Sequence, residues 1–274
     1  MDYLDGDPNV LVLVLHGLEG SRQSPYAAGI LTALKDFGWT SVLLHFRGCS
    51  GEPNRLARSY HSGDTADLDF VLQHLHNHYP QARTAAVGFS LGGNVLLKYL
   101  GEKANDCSLS AAVAVSVPYD LADAADRLNR GFSQVYQRRL LHSLRAKTAQ
   151  KRRAGATMPE ISDLRKLNSF WDFDDRVTAP LHGFSDVEEY YTKASSRQFL
   201  PAIRVPTLLL HARDDPFMTG AAIPSSDELP TAVELALSNH GGHVGFVHGA
   251  FPWQAKYWLE ERIPGYLEGF LGRR

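Results

Sequence analysis

Residues 87–93, "VGFSLGG", set a serine between Gly88 and Gly92. A serine hydroxyl is a weak nucleophile until a base takes its proton and an acid orients that base. The chain supplies candidates for both further along. The apolar run ending "LLLHA" opens into "RDDPF", and the run "AVELAL" opens into "SNHGGHVGF". Ser90, an aspartate at 214 or 215, and a histidine at 240, 243 or 248 thus follow in the order nucleophile, acid, base. His243 is favoured as base because two glycines precede it and let its loop approach closely. Asp215 is favoured as acid because it stands three residues after the small Ala212, which leaves Asp214 as a solvated or turn-forming neighbour. Such a set could attack an acyl carbon, hold the acyl group covalently and release it to water.

That chemistry needs elements to position it. The run Thr84–Phe89 reads as a strand, and Leu91, Val95, Leu96 and Tyr99 pattern the helix that follows. A turn that sharp leaves no room for bulky side chains two residues either side of the serine, and Gly88 and Gly92 remove the clash. The new helix also aims its first N–H groups, including that of Leu91, where an oxyanion would form. The first strand ends in "HGLEGS", residues 16–21, whose Leu18 N–H is the second candidate donor. A phosphate-binding turn is the rival for this stretch. It lacks Gly-x-Gly-x-x-Gly and a P-loop lysine, and the next strand ends in "HFRG" without an acidic ribose ligand.

Across the chain, strand-length apolar runs at Val10–Leu15, Ser41–Phe46, Thr84–Phe89, Ala111–Val117, Thr207–His211 and Ala232–Leu237 alternate with helical patterns. The helices are expected at about Tyr26–Phe37, Thr65–Tyr79, Leu91–Lys103 and Trp253–Phe270. This alternation predicts an α/β fold with a mostly parallel, doubly wound sheet. The rhythm stops near Pro118 and resumes near Thr207. Residues 1–118 and 201–274 are therefore expected to form the core, with 119–200 inserted as a helical cap.

The joint presence of "HGLEGS", "SPY", "HFRGCSGEPN", "YHSGDTADL", "VGFSLGGNVLLKYL", "GFSDVEEYY", "PTLLLHARDDPF" and "GGHVGF" resembles the YheT-type branch of the α/β-hydrolase superfamily. The resemblance spans about residues 16–246. It implies a serine esterase-like hydrolase that needs no cofactor, with Ser90, Asp215 and His243 as triad. It also implies that the second aspartate of "DD" is the acid. Superfamily members usually carry two further strands before the one ending in His-Gly. Only nine residues precede Val10, so those antiparallel strands are expected to be absent or truncated. A serine nucleophile argues against dehalogenase or epoxide-hydrolase chemistry. Esterase, thioesterase, phospholipase and acyltransferase activities stay open, as does a non-catalytic scaffold.

The remaining signals are weaker. A formal net charge of −2 leaves no basic field for nucleic acid. Cys49 and Cys107, the two cysteines, form no metal or redox motif. No signal-peptide pattern opens the chain and no apolar run reaches membrane length, so a cytoplasmic protein acting on a small-molecule ester is expected. His74, His76 and His78 lack a third ligand at metal spacing and read as a solvated helix end. The run Arg138, Arg139, Arg145, Lys147, Lys151, Arg152 and Arg153 reads as a solvated amphipathic helix ahead of a site for anionic lipid headgroups. Phe170, Trp171, Phe173, Phe184, Tyr190 and Tyr191 are candidates for an acyl pocket, most of them for packing.

Overall fold

Val10–Leu15 alternates valine with leucine, and a strand sends alternate side chains to opposite faces. In the computed structural model, which describes residues 1–249 and 254–272, both sets are buried. Leu11, Leu13 and Leu15 pack with Leu68, Leu72, Val95 and Leu96 on one face. Val10, Val12 and Val14 pack with Ile30, Leu34, Ile263 and Leu267 on the other. A strand covered on both faces belongs in the middle of a three-layer α/β fold.

The elements in chain order begin with β1 (Asp2–Leu4), β2 (Asp7–Leu15), α1 (Pro25–Asp36), β3 (Trp39–Leu44), α2 (Thr65–His78), β4 (Arg83–Phe89), α3 (Leu91–Lys103) and β5 (Ala111–Val115). There follow α4 (Leu121–Leu128), α5 (Ser133–Arg153), α6 (Phe170–Phe173), α7 (Ala179–His182) and α8 (Val187–Ala194). The chain closes with β6 (Thr207–Ala212), β7 (Val233–Ser238), the short pair β8 (Val247–His248) and β9 (Lys256–Tyr257), and α9 (Trp258–Leu271).

Among the described residues seven strands form one sheet in the order β1-β3-β2-β4-β5-β6-β7. All neighbours are parallel except β1, which runs antiparallel to β3 with Tyr3 opposite Val42. The segment before Val10 thus holds one three-residue antiparallel strand, and β2 itself starts at Asp7. Expected β3 ran to Phe46, but the strand ends at Leu44 because the Phe46 N–H turns away to the ring of His16. β5 ends at Val115 because Ser116 takes a positive φ of 49°. The last helix starts at Trp258, and Trp253, where we expected it, lies outside the described residues.

Between Pro118 and Leu200 the described residues contain helices and turns and no strand. They have an apolar cluster of their own, in which Leu128, Leu141, Phe170, Phe173 and Tyr191 are buried. Asn94 of α3 ties the C-terminal end of this region to the loop before α2. Its amide donates to the carbonyls of Ser62 and Ala194 and accepts from the Ser196 N–H, all within 2.9 Å.

The sharp passage from β4 to α3 leaves no space for side chains. A Cβ on Gly88 would lie 2.6 Å from the Gly92 carbonyl oxygen, and one on Gly92 would lie 2.6 Å from the His16 carbonyl oxygen. Both obstacles are backbone and cannot rotate away. Gly92→Ala should therefore destabilise the fold by about 3 kcal/mol. Urea unfolding checks this; a variant as stable as the parent would show that the two backbones can separate freely.

Candidate active site

β2 has β3 on one side and β4 on the other, so the chain leaves its C-terminal end in one direction and that of β4 in the opposite one. A crevice opens where such connections diverge. Ser90 stands there, directly after β4, with φ 52° and ψ −119°. A non-glycine residue holds such a backbone only when its surroundings enforce it. The Ser90 N–H donates to the Val115 carbonyl at 2.8 Å, and its carbonyl accepts from the Asn94 N–H at 3.0 Å.

Ser90 Oγ lies 2.9 Å from Nε2 of His243. Nδ1 of the same ring lies 2.9 Å and 3.1 Å from the two carboxylate oxygens of Asp215. A carboxylate at Nδ1 fixes the proton there and leaves Nε2 as acceptor for the serine hydroxyl. Asp215 follows β6 and is buried. It also accepts the Phe217 N–H at 2.8 Å, and the Phe217 ring stacks on the imidazole with centroids 3.9 Å apart and planes 3° from parallel. His240 and His248 are exposed and do not enter this group.

Asp214 is a turn-former and not merely solvated. Its Oδ1 accepts the N–H groups of Gly242 at 2.8 Å and Gly241 at 2.9 Å, which hold its carboxyl below the usual range. The two glycines serve different needs. Gly242 has φ 58°, whereas a Cβ on Gly241 would collide with the Phe246 ring at 2.8 Å. On the other side of His243, the Val244 N–H donates to the buried Ser116 hydroxyl at 3.1 Å.

The loop after β2 is braced from several sides. His16 is fully buried; its Nδ1 bonds the Gly17 carbonyl at 2.7 Å and its Nε2 accepts the Phe46 N–H at 3.2 Å. The Gly17 N–H donates to the Tyr26 hydroxyl at 2.8 Å. Gly17 abuts Ser90, since a Cβ there would be 3.2 Å from the serine's own. Leu18 and Leu91 both line the cavity above Ser90. Leu91 is the first residue of α3, so its N–H has no acceptor within the helix.

That cavity holds about 470 Å³ and includes Ser90 and His243. Leu121, Leu128, Leu144, Phe170, Phe173 and Val177 give it an apolar wall. Arg47, His61, Lys151 and His182 are also among its lining residues. Of the six aromatics picked from the sequence, Phe170, Phe173, Tyr190 and Tyr191 both line the cavity and pack in the cluster of this region. Trp171 instead donates to Asp126, and Phe184 packs on Tyr190.

The basic run on α5 is solvated only in part. Arg138, Arg139 and Arg153 are exposed. Lys151 turns inward, 8% exposed, and donates to the carbonyls of Ala57 and Arg58 and the hydroxyl of Ser59. Lys147 turns inward to Glu19. The rings of His74 and His78 lie 4.2 Å apart, tilted by 42°, and among the described residues no group of three His, Cys, Asp or Glu side chains could hold a metal. No helix among them is long and apolar enough to cross a membrane.

Residues 10–250 match the family described as alpha/beta hydrolase fold. The chain belongs to that family. It is 46% identical over 262 residues to the Escherichia coli K12 protein named "Putative esterase YheT", covering 95% of this chain and 77% of that one. It is 32% identical to mouse "Phospholipase ABHD3" over 93% of this chain, and spans 62% of that relative's length. The Pyrococcus furiosus esterase Pf2001 superposes with a TM-score of 0.64 at 19% identity, covering 98% of this chain and 85% of that one. The last comparison concerns the fold alone.

Several residues around the site carried no sequence signal. Tyr26, Ser116 and Phe217 act through partners 9 to 128 positions away or through ring stacking. His16 was visible only as half of a His-Gly pair. Burial pushes its pKa down to about 4, whereas an unfolded histidine titrates near 6.5. As pH falls, the unfolded chain binds this proton first. The stabilisation of about 3 kcal/mol present above pH 6.5 is therefore lost on descending to about pH 4. His61 and His182, pushed down by burial to about 3 and about 4, act with the same sign. The urea midpoint should drop through this window, and His16→Gln should lower the midpoint at pH 8 while flattening the acid decline. A midpoint independent of pH between 6.5 and 4 would refute the assignment.

Proposed function

We propose that this protein is a serine hydrolase of carboxylic esters working through an acyl-enzyme. Ser90 Oγ attacks the acyl carbon while His243 Nε2 takes its proton, and the carbonyl electrons move onto oxygen to give an oxyanion. The oxyanion collapses, the alcohol leaves with the proton from His243, and the acyl group stays on Ser90. Water then attacks the acyl carbon with His243 again as base, and the acid is released. Asp215 holds the Nδ1 proton in place and stabilises the imidazolium formed in each step. The N–H groups of Leu18 and Leu91 receive the oxyanion.

The observation that carries this reading is the unbroken line of hydrogen bonds from Asp215 through His243 to Ser90, beginning at a buried carboxylate and ending on a strained serine. Residues 119–200 act in it as the cap, whose apolar wall takes the acyl chain and keeps bulk water from the oxyanion. The name of the Escherichia coli relative agrees with an ester substrate. A phospholipid ester is the second reading, favoured by Arg47 and Lys151 in the cavity lining and by the mouse relative's name.

A fluorophosphonate probe and a short-chain ester test the roles together. Ser90→Ala should abolish labelling, and Asp215→Asn should cut turnover about 10⁴-fold. Asp214→Asn, which only loosens the Gly241–Gly242 turn, should cost about 10- to 100-fold. Labelling that survives Ser90→Ala, or equal losses at the two aspartates, would sink the assignment.

The cap role has its own check. Phe170→Ala enlarges the apolar wall and should shift preference toward longer acyl chains while Ser90 still takes the probe. An unchanged chain-length profile would place the acyl group elsewhere.

A further inference from the structure

The residue after Leu18 is a glutamate, and acyl transfer has no evident use for one. Glu19 nonetheless has a buried side chain, 5% exposed, on a backbone at φ 57°. Its carboxylate takes three donors. The Tyr60 hydroxyl and Lys147 Nζ each reach Oε1 at 2.8 Å, and the Ser143 hydroxyl reaches Oε2. The Glu19 N–H in turn donates to the Tyr60 hydroxyl at 2.9 Å. Tyr60 lies between β3 and α2, whereas Ser143 and Lys147 stand one turn apart on α5. One carboxylate thereby joins the loop after β2, the loop after β3 and the long helix of the 119–200 region.

The two neighbours of Leu18 are now both fixed. Gly17 is held by Tyr26 and His16, and Glu19 by Tyr60, Ser143 and Lys147. The Leu18 N–H shares its peptide plane with the Gly17 carbonyl, which is bonded by His16 Nδ1 and the Gly20 N–H, while Glu19 fixes the chain on its other side. An ion pair whose carboxylate is buried and whose lysine is half-buried is a poor route to stability, because desolvation offsets most of the attraction. Its effect here is geometric: a donor off by an ångström stabilises an oxyanion far less.

We propose that Glu19 is the positioning residue of the oxyanion loop, and that Ser143 and Lys147 make the aim of the Leu18 N–H depend on the seating of α5. The proposal rests on the serine-hydrolase reading above. It makes the helix a condition of catalysis as well as a wall of the pocket.

The test compares Ser143→Ala, Glu19→Gln and the double variant Glu19→Gln/Lys147→Met in p-nitrophenyl butyrate kinetics, fluorophosphonate labelling rate and thermal unfolding. Ser143→Ala should unfold near the parental temperature yet lose about tenfold in kcat with KM unchanged, a fraction of what a missing oxyanion donor costs. Glu19→Gln strands the Lys147 ammonium and should lose both stability and kcat. The double variant removes both charges and should regain stability while kcat stays about 100-fold down. Parental kcat in the double variant or in Ser143→Ala, or a loss confined to KM, would overturn the proposal. Parental enzyme that neither hydrolyses the ester nor takes the probe at Ser90 would overturn the hydrolase reading, and this proposal with it.

Discussion

Everything near the cavity follows from how closely the end of β2 and the start of α3 approach each other. The carbonyls of Leu15 and His16 lie where a Cβ on Gly92 would sit. That contact forces glycine at 92, and the elbow itself forces it at 88, where a Cβ would meet the Gly92 carbonyl and Gly93; the serine between them is left with an unusual backbone. It also sets Gly17 against Ser90, so the loop after β2 and the serine cannot move independently. The strain is borne by a sheet whose central strands are buried on both faces, and the sheet's cohesion holds the turn in place.

Around this junction the protein uses buried polar side chains as braces. His16, Asn94 and Ser116 are each fully buried and each holds backbone of a neighbouring loop or element. A polar group in such a place is costly unless satisfied, and these are satisfied by main-chain partners whose positions they then fix. The result is a rigid floor beneath a more varied upper region, where the helices of residues 119–200 carry their own apolar cluster.

How much of this could be read in advance depended on the range of the interaction. The parallel strands were legible because Val10–Leu15, Thr84–Phe89 and Thr207–His211 are apolar along most of their length and lack the polar alternation of a half-exposed strand, as doubly covered strands do. Ser90, Asp215 and His243 could be singled out because each stands just past such a run, and local spacing carried that information. β1 was not legible, since Asp2–Leu4 has neither length nor apolar character and exists by pairing with Ser41–Leu43. The inward turn of Lys147 and Lys151 was hidden for a similar reason. Their partners, Glu19 and the carbonyls at 57 and 58, lie more than ninety residues earlier, so the helix by itself looked wholly solvated. Tyr60 gave no sign of its role, because a phenol acquires a purpose only from what the fold brings to its hydroxyl.

The plate of Phe217 against His243 carries one more implication, a mechanical one. With its face covered at 3.9 Å and Nδ1 tied to Asp215, the imidazole cannot flip end over end without first peeling off the phenyl ring. Rotation about its Cβ–Cγ bond would drive the ring edge into that phenyl face, so the imidazole is kept in one plane by a carboxylate and an aromatic face together. Because the Phe217 N–H is itself bound to Asp215, both restraints belong to one short stretch of chain.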